Sequence, residues 1–185
     1  GGVAVGGGGP ATGETDPPEP HNTVERVHAI TLAGGSAFGL AAADGVMNEL
    51  ASQGIGFPVL GEDKPGPRVP IVPAAVIFDL LVGAERPTAA DGAEAVRRAI
   101  AEHDDSTGSV GAGVGATAGK LRGGLGLTEQ QVRTPMGQFT VGALVVANPV
   151  GNVVDAETGR LFGAPHAAPI DVARFSQLQH PAESK

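Results

Sequence analysis

The chain has 185 residues, among them 30 glycines, 15 prolines and six phenylalanines but no tyrosine, tryptophan or cysteine, and its formal charge is −8. Without cysteine there are no disulfides, thiolate metal sites or cysteine nucleophile. The negative charge argues against a nucleic-acid partner, which needs a basic stripe, and no run of about 18 apolar residues is present to span a membrane.

The length suits one domain with a sizeable core. That core must be built from Ala, Val, Leu and Ile, which bury little area each, so the chain is expected to lean on a partner chain. The glycines cluster where apolar runs end, a pattern that predicts tight turns and close backbone approach. Residues 1–9 read as a strand end entering a loop, and residues 10–23, rich in Pro, Asp and Glu, as an exposed loop. Residues 25–33 read as a strand buried on both faces at its end. Gly34 and Gly35 make a turn, with Ser36 as the helix cap. Phe38, Ala42, Val46 and Leu50 then recur every four residues and predict an amphipathic helix ending at Gly54.

Residues 61–70 form a loop. Residues 71–81 read as a strand that Pro73 confines to an edge or a bulge and that closes near the acid Asp79. Thr88 caps a second helix, with Asp91 in its first turn and Ala89, Ala93, Val96 and Ile100 as its apolar stripe. Residues 103–109 are a polar loop, and the glycine–alanine run of residues 111–120 is irregular by propensity. Residues 138–147 and 152–155 are strands, and residues 163–185 a mobile tail. Mixed strands and helices predict an α/β layered domain over residues 1–162.

Few residues stand out chemically. Pro149 pushes Asn148 toward extended geometry at a strand end. Its amide there can donate to a developing negative charge, and Asn-Pro is equally an ordinary turn pair. Lys120 ends a glycine run whose bare backbone allows close approach of a substrate, so it is either a solvated lysine or a group that assists proton transfer and charge stabilisation. Asp79 reads as a structural acid ahead of a supporting role. His21, His28, His103, His166 and His180 are scattered and form no metal set. Gly111, Gly113 and Ala116 satisfy a loose dinucleotide fingerprint, but the residues before them make a poor strand.

Four segments in order, LAGGSAFGL (32–40), AVIFDL (75–80), VGAGVGATAGK (110–120) and NPVG (148–151), resemble the DmpA-type aminopeptidases and nylon-oligomer hydrolases. These are self-cleaving hydrolases with an N-terminal nucleophile, and the resemblance runs from about Gly6 to Asp155. It implies a layered α-β-β-α sandwich of the DmpA and ornithine acetyltransferase type, completed by a second chain. It implies Asn148 as oxyanion donor, Lys120 as a catalytic residue near the nucleophile, and Gly34, Gly35 and Phe38 as pocket residues. Phe38 stands where these enzymes carry tyrosine, so the hydroxyl donor is lost.

The nucleophile itself is not evident. The only Asn-Thr pair, Asn22-Thr23, precedes every motif and reads as loop. The resemblance therefore places the Thr or Ser nucleophile on a smaller β-subunit cut from the same precursor, and makes this chain the larger α-subunit. Such pairs are expected to form a homo-oligomer in the cytoplasm, to act on a peptide or small amide, and to need no cofactor or metal. The rival readings are an ornithine acetyltransferase-like acyltransferase, a nucleotide-binding module using Gly111 to Gly119, and a catalytically inactive subunit, which Phe38 favours.

Overall fold

A computed structural model describes residues 2–15, 24, 26–164 and 167–179; Asn22, Thr23, His21, His166 and His180 lie outside them. The architecture is mixed α/β, with small sheets and few helices. The chain divides into two compact units, one running to Ile77 and including Glu85–Asp104, the other formed by Phe78–Ala84 and the residues from Asp105 onward.

In the first unit, strands β1 (Thr12–Gly13), β2 (Thr31–Ala33) and β5 (Ala74–Val76) form a sheet in the order β1-β5-β2. β2 runs parallel to β5, with Leu32 opposite Ala75, and β1 is antiparallel to it. Pro73 was expected to place its strand at an edge or a bulge; instead β5 is central. The strand begins one residue after the proline, so the missing N–H falls outside the ladder, and the Pro73 carbonyl accepts from Thr31 N at 2.9 Å. Two side chains hold the proline-flanked approach to β5: His28 Nδ1 accepts from Ile71 N at 3.0 Å, and Glu14 accepts from Val72 N at 2.5 Å. Strands β3 (Phe57–Pro58) and β4 (Arg68–Val69) pair around the loop at 61–67.

The four-residue periodicity is realised as a 3-10 turn, Ser36–Leu40, followed by helix α1 (Ala41–Ser52). Ala42, Val46 and Leu50 are buried, as their spacing predicts. Phe38 is not: it lies in the tighter 3-10 turn, where three residues per turn rotate it off the α-helical stripe. The helix stops at Gly54, whose φ of 73° is left-handed. Ser36 is the first residue of the turn, with Gly35 in the cap position at φ 84°, and makes no side-chain cap bond.

Helix α2 (Ala89–Ala101) carries the cap that its sequence predicts. The Thr88 side chain accepts from Asp91 N, and the Asp91 carboxylate accepts from Thr88 N at 2.8 Å. Hydrogen bonds from the Thr88 side chain and backbone hold the Asp91 carboxyl below its ordinary value. The buried positions of α2 are Gly92 and Val96, while Ile100 is exposed. The stripe shifts because α1 and α2 meet through glycine. A β-carbon on Gly45 would overlap the backbone of Ala89, and one on Gly92 the backbone of Ala42. Val46, Leu50, Val72, Ala74 and Val96 pack around this crossing.

The second unit contains hairpins β6 (Thr117–Ala118) with β7 (Leu121–Arg122) and β8 (Gly124–Thr134) with β9 (Gly137–Ala147). β9 is the run expected as a strand, and β8 is its full-length partner. Residues 152–155 are not a strand: Asp155 Oδ1 instead accepts from Glu157 N at 2.8 Å and Thr158 N at 3.3 Å, closing a turn. Within the stretch expected as a tail, Asp171 caps helix α3 (Val172–Gln177), which buries Phe175 to 5% exposure. No helix among the described residues is long and apolar enough to cross a membrane.

Adding a methyl group at the helix crossing tests its tightness. Gly92→Ala and Gly45→Ala are expected to destabilise the chain by about 1–3 kcal/mol or more, because backbone rather than a movable side-chain end fills the space. Gly54→Ala, with open space around it, should cost less, about the strain of one left-handed residue, roughly 1 kcal/mol. Denaturant melts of the three variants check the order.

A second expectation concerns pH. Asp91 is depressed by Thr88, and Glu94 by Arg98 and then Arg97. A depressed carboxyl contributes stability that is full above its unfolded value and is lost as pH falls through the folded value. The melting temperature of Asp91→Asn should therefore fall below wild type at neutral pH and converge with it in acid.

Candidate active site

The strand end at Asn148 is built from two sides. Pro149 holds it extended, and β9 delivers it beside the β6–β7 hairpin. Asn148 Oδ1 accepts from Thr117 N at 2.9 Å, and its Nδ2 donates to the Phe78 carbonyl at 3.1 Å. The amide is thus a clamp between β6 and the segment after Ile77, and Thr117 is the buried polar residue it grips, 7% exposed. Asn152, on the far side of Pro149-Val150-Gly151, repeats the motif: its Oδ1 accepts from Lys120 N at 3.1 Å. Gly119, at φ 59°, lies so close to that oxygen that a β-carbon would overlap it.

Two asparagines four apart therefore grip the backbone of Thr117 and Lys120 at either end of one short hairpin turn. Asn148 and Lys120 are brought into one loop cluster by these bonds. Lys120 is half-buried, and its ammonium lies 5.7 Å from the Phe175 ring centroid, within cation–π range. It forms no ion pair with a described carboxylate. Asp79 packs against Gly115, where a β-carbon would overlap the carboxylate, so the glycine run makes room for the acid. That contact fits the structural reading of Asp79.

Phe38, Gly34 and Gly35 belong to the other unit. Phe38 is 55% exposed, and the Arg86 guanidinium sits 3.8 Å above its ring. Gly35 abuts Pro87, with a β-carbon coming within 2.8 Å of the proline ring, and Gly39 lies against the Gly34 carbonyl. Ser36, at φ 54°, is one of two non-glycine residues with positive φ among those described. Such strain persists where surroundings enforce it, often at functional sites; here the bond from Ser36 N to Ile77 O, 2.9 Å, holds it.

Sequence reasoning missed Asn152, Thr117 and Arg86. The repeat of asparagine on both sides of the proline–glycine turn was the available signal for Asn152; Arg86 carried none beyond its position before Pro87. The dinucleotide fingerprint lacks its frame: residues 102–107 form no strand, and Gly111–Gly113 is a single 3-10 turn rather than a helix start. Among the described residues no group of acids and histidines could hold a metal ion.

Residues 1–172 match the profile of peptidase family S58. An uncharacterized aminopeptidase of Mycobacterium leprae is 46% identical, over 98% of this chain and 52% of its own length. An uncharacterized aminopeptidase of Mycobacterium tuberculosis H37Rv is 48% identical, over 86% of this chain and 44% of its own. The chain thus spans about half the length of these relatives. In structure it is similar to a protein from Pyrococcus horikoshii OT3, with a TM-score of 0.52 and 23% identity, over 76% of this chain and 36% of that one. That likeness concerns the fold.

The two clamps predict a shared stability effect. Asn148→Ala and Asn152→Ala each remove a side chain bonded to backbone; at the part-buried Thr117 contact the loss should cost about 1–3 kcal/mol, and at the exposed Lys120 contact about 0.5–1.5 kcal/mol. Asn148→Ala, which loses two bonds, should cost the more. Chemical denaturation of both variants gives the ranking, and an unchanged midpoint for Asn148→Ala would show that the clamp is dispensable.

Proposed function

The chain belongs to peptidase family S58, and from that premise we propose that it is the larger α-subunit of a cytoplasmic amide-bond hydrolase, aminopeptidase-like or acting on short linear amides. The family match over residues 1–172 is the observation that carries the reading. A smaller β-subunit, released by self-cleavage of a common precursor, supplies an amino-terminal Thr or Ser.

The reaction is acyl transfer. The Thr or Ser hydroxyl attacks the amide carbon while the free α-amine of the same residue takes its proton. The carbonyl electron pair moves onto oxygen, and Asn148 donates an Nδ2 hydrogen to that oxyanion. The bond to Phe78 O fixes the amide plane, and with it the direction of the second N–H. The Lys120 ammonium offsets the developing charge. Collapse breaks the C–N bond, and the leaving amine takes the proton from the α-amine. Water then cleaves the ester by the same path and restores the hydroxyl.

The uncovered state of the long hairpin supports a second chain. β8 and β9 pair over eleven residues each, yet nearly all of these residues are exposed. On one face Val132 lies opposite Phe139, Gln130 opposite Val141, Thr128 opposite Ala143 and Gly126 opposite Val145. The other face is apolar only near its base, at Leu125, Val146, Leu127 and Leu144, and polar toward the tip. A two-stranded hairpin is marginal in water unless its apolar face is packed. In this reading the β-subunit covers the Phe139–Val145 face and completes a layered α-β-β-α sandwich, and the pairs assemble into a homo-oligomer.

Intact mass and amino-terminal sequencing of the full-length protein provide the test. Two chains are expected, the smaller beginning with Thr or Ser; a single unprocessed chain with full amidase activity would overturn the reading. In the processed enzyme Asn148→Ala should lower turnover roughly 100- to 1000-fold, the scale of one lost oxyanion donor, when assayed below its melting temperature.

A further inference from the structure

Along the outer edge of β8, unpaired backbone groups and two opposite charges occur together. Gly108 N donates to Leu125 O at 2.7 Å and Leu125 N to Gly108 O at 2.8 Å, so the Leu125 backbone faces away from β9. Backbone direction alternates along an antiparallel strand, and the β8–β9 register runs unbroken from Gly124–Ala147 to Thr134–Gly137. The N–H and C=O groups of Leu127, Glu129, Gln131 and Arg133 therefore face outward as well, and beyond Leu125 no described strand pairs with them. Glu129 and Arg133 are exposed, share one face of the strand and form no ion pair among the described residues. Gln131, between them, is tied to β9 instead: its Nε2 donates to Thr140 Oγ1 at 2.7 Å, and its Oε1 accepts from Gln138 Nε2 at 3.0 Å.

An acid and a cation so placed on one edge are self-complementary about a two-fold axis. When two copies of β8 pair antiparallel about Gln131, Glu129 stands opposite the partner's Arg133, and Arg133 opposite the partner's Glu129. The same register sets outward-facing backbone against outward-facing backbone, as a hydrogen-bonded ladder requires, and places Thr128 opposite the partner's Thr134. Directly opposite side chains lie about 4.5–5.5 Å apart, where unlike charges stabilise and like charges destabilise. Slipped registers put Glu129 opposite the partner's Glu129, put Arg133 opposite the partner's Arg133, or leave both charges unanswered. Charges on an edge turn away strands that do not answer them, so this pair admits a copy of itself in one register.

We propose that the outer edge of β8 is a self-association surface, where a second copy of this chain adds its β8 antiparallel and the two hairpins become one four-stranded sheet. A two-stranded hairpin is marginal in water, and further strands stabilise it. This edge is separate from the Phe139–Val145 face assigned above to the β-subunit. It gives the homo-oligomer of that reading, on which it rests for the assembly alone, its contact, and it requires neither processing nor hydrolysis.

Sedimentation of the full-length protein over a concentration series tests the contact, with melting curves to confirm that each variant folds. Glu129→Arg and Arg133→Glu each set like charges face to face at two symmetric positions, and each should raise the dissociation constant roughly 10- to 100-fold. Sodium chloride at about 1 M should shrink that loss, because the screening length falls to about 3 Å. The double variant Glu129→Arg/Arg133→Glu restores unlike pairs and should recover most of the association. An equimolar mixture of the two single variants should do the same, since a positive edge then meets a negative one. A wild type that stays monomeric at every concentration overturns the proposal. So does association that ignores both single substitutions, as it would if the β-subunit or the edge of β9 made the contact, or a mixture that fails to recover. A single unprocessed chain that still dimerises through this edge would overturn the hydrolase reading and leave this one standing.

Discussion

Missing β-carbons set how closely the layers of this chain approach one another. The chain has few aromatic side chains to fill space between layers, and at these glycines its backbones come together directly. Gly45 and Gly92 let two helices touch backbone to backbone, Gly113 and Gly123 do the same for the loops and hairpins of the second unit, and Gly119 admits the Asn152 amide. Close approach shortens every path between polar groups. It is why one asparagine can reach both Thr117 and Phe78, and why a proline can sit flat on Gly35. Interiors tolerate little volume change when packed to this density, and at Gly45, Gly92, Gly113 and Gly123 the nearest neighbour is backbone, which has nowhere to move.

A consequence for chemistry follows at Asn148. If its amide is the oxyanion donor, the donor is fixed by the same bonds that hold β6 against the strand end. Electrostatic stabilisation of a transition state works best when the donor needs no reorganisation at the moment of reaction. An amide whose oxygen is bonded to Thr117 N and whose nitrogen is bonded to Phe78 O has its plane set by the fold. The hairpin turn between the two clamps, where Gly119 and Lys120 lie, is stiffened from both ends in the same way.

Much of this was legible in the amino-acid sequence, and what was not has physical reasons. The cap at Thr88 and Asp91, the stop at Gly54 and the stripe of Ala42, Val46 and Leu50 rest on local rules, and these elements formed where those rules put them. Strand β8 was hidden, because Glu129, Gln130, Gln131 and Arg133 break an apolar pattern that its partner β9 shows plainly; its pairing is set by the turn at 135–136 rather than by its own composition. Pro73 misled because a proline one residue before a strand and a proline within one look alike in sequence. Helix α3 was masked by proline-containing surroundings, though Asp171 and Phe175 supply its cap and its anchor. Around the candidate site, Asn148 and Lys120 were visible as motif residues. The grip of Asn152 was not: the repeat of asparagine across Pro149–Gly151 signals the residue, but not that its side chain will reach the backbone of Lys120.

The eleven-residue hairpin has an implication for how such a protein must be made. β9 carries neither a charge nor a proline from Gly137 to Ala147, so it lacks the features by which natural edge strands discourage unintended pairing. Left uncovered in a crowded compartment, it would be open to pairing with other copies of itself. If the proposed β-subunit is its cover, tethering it to the same polypeptide turns a bimolecular search into an intramolecular one, at effective concentrations that reach the millimolar range for short linkers. Synthesis as one chain, cut only after docking, would then act as a chaperone built into the gene.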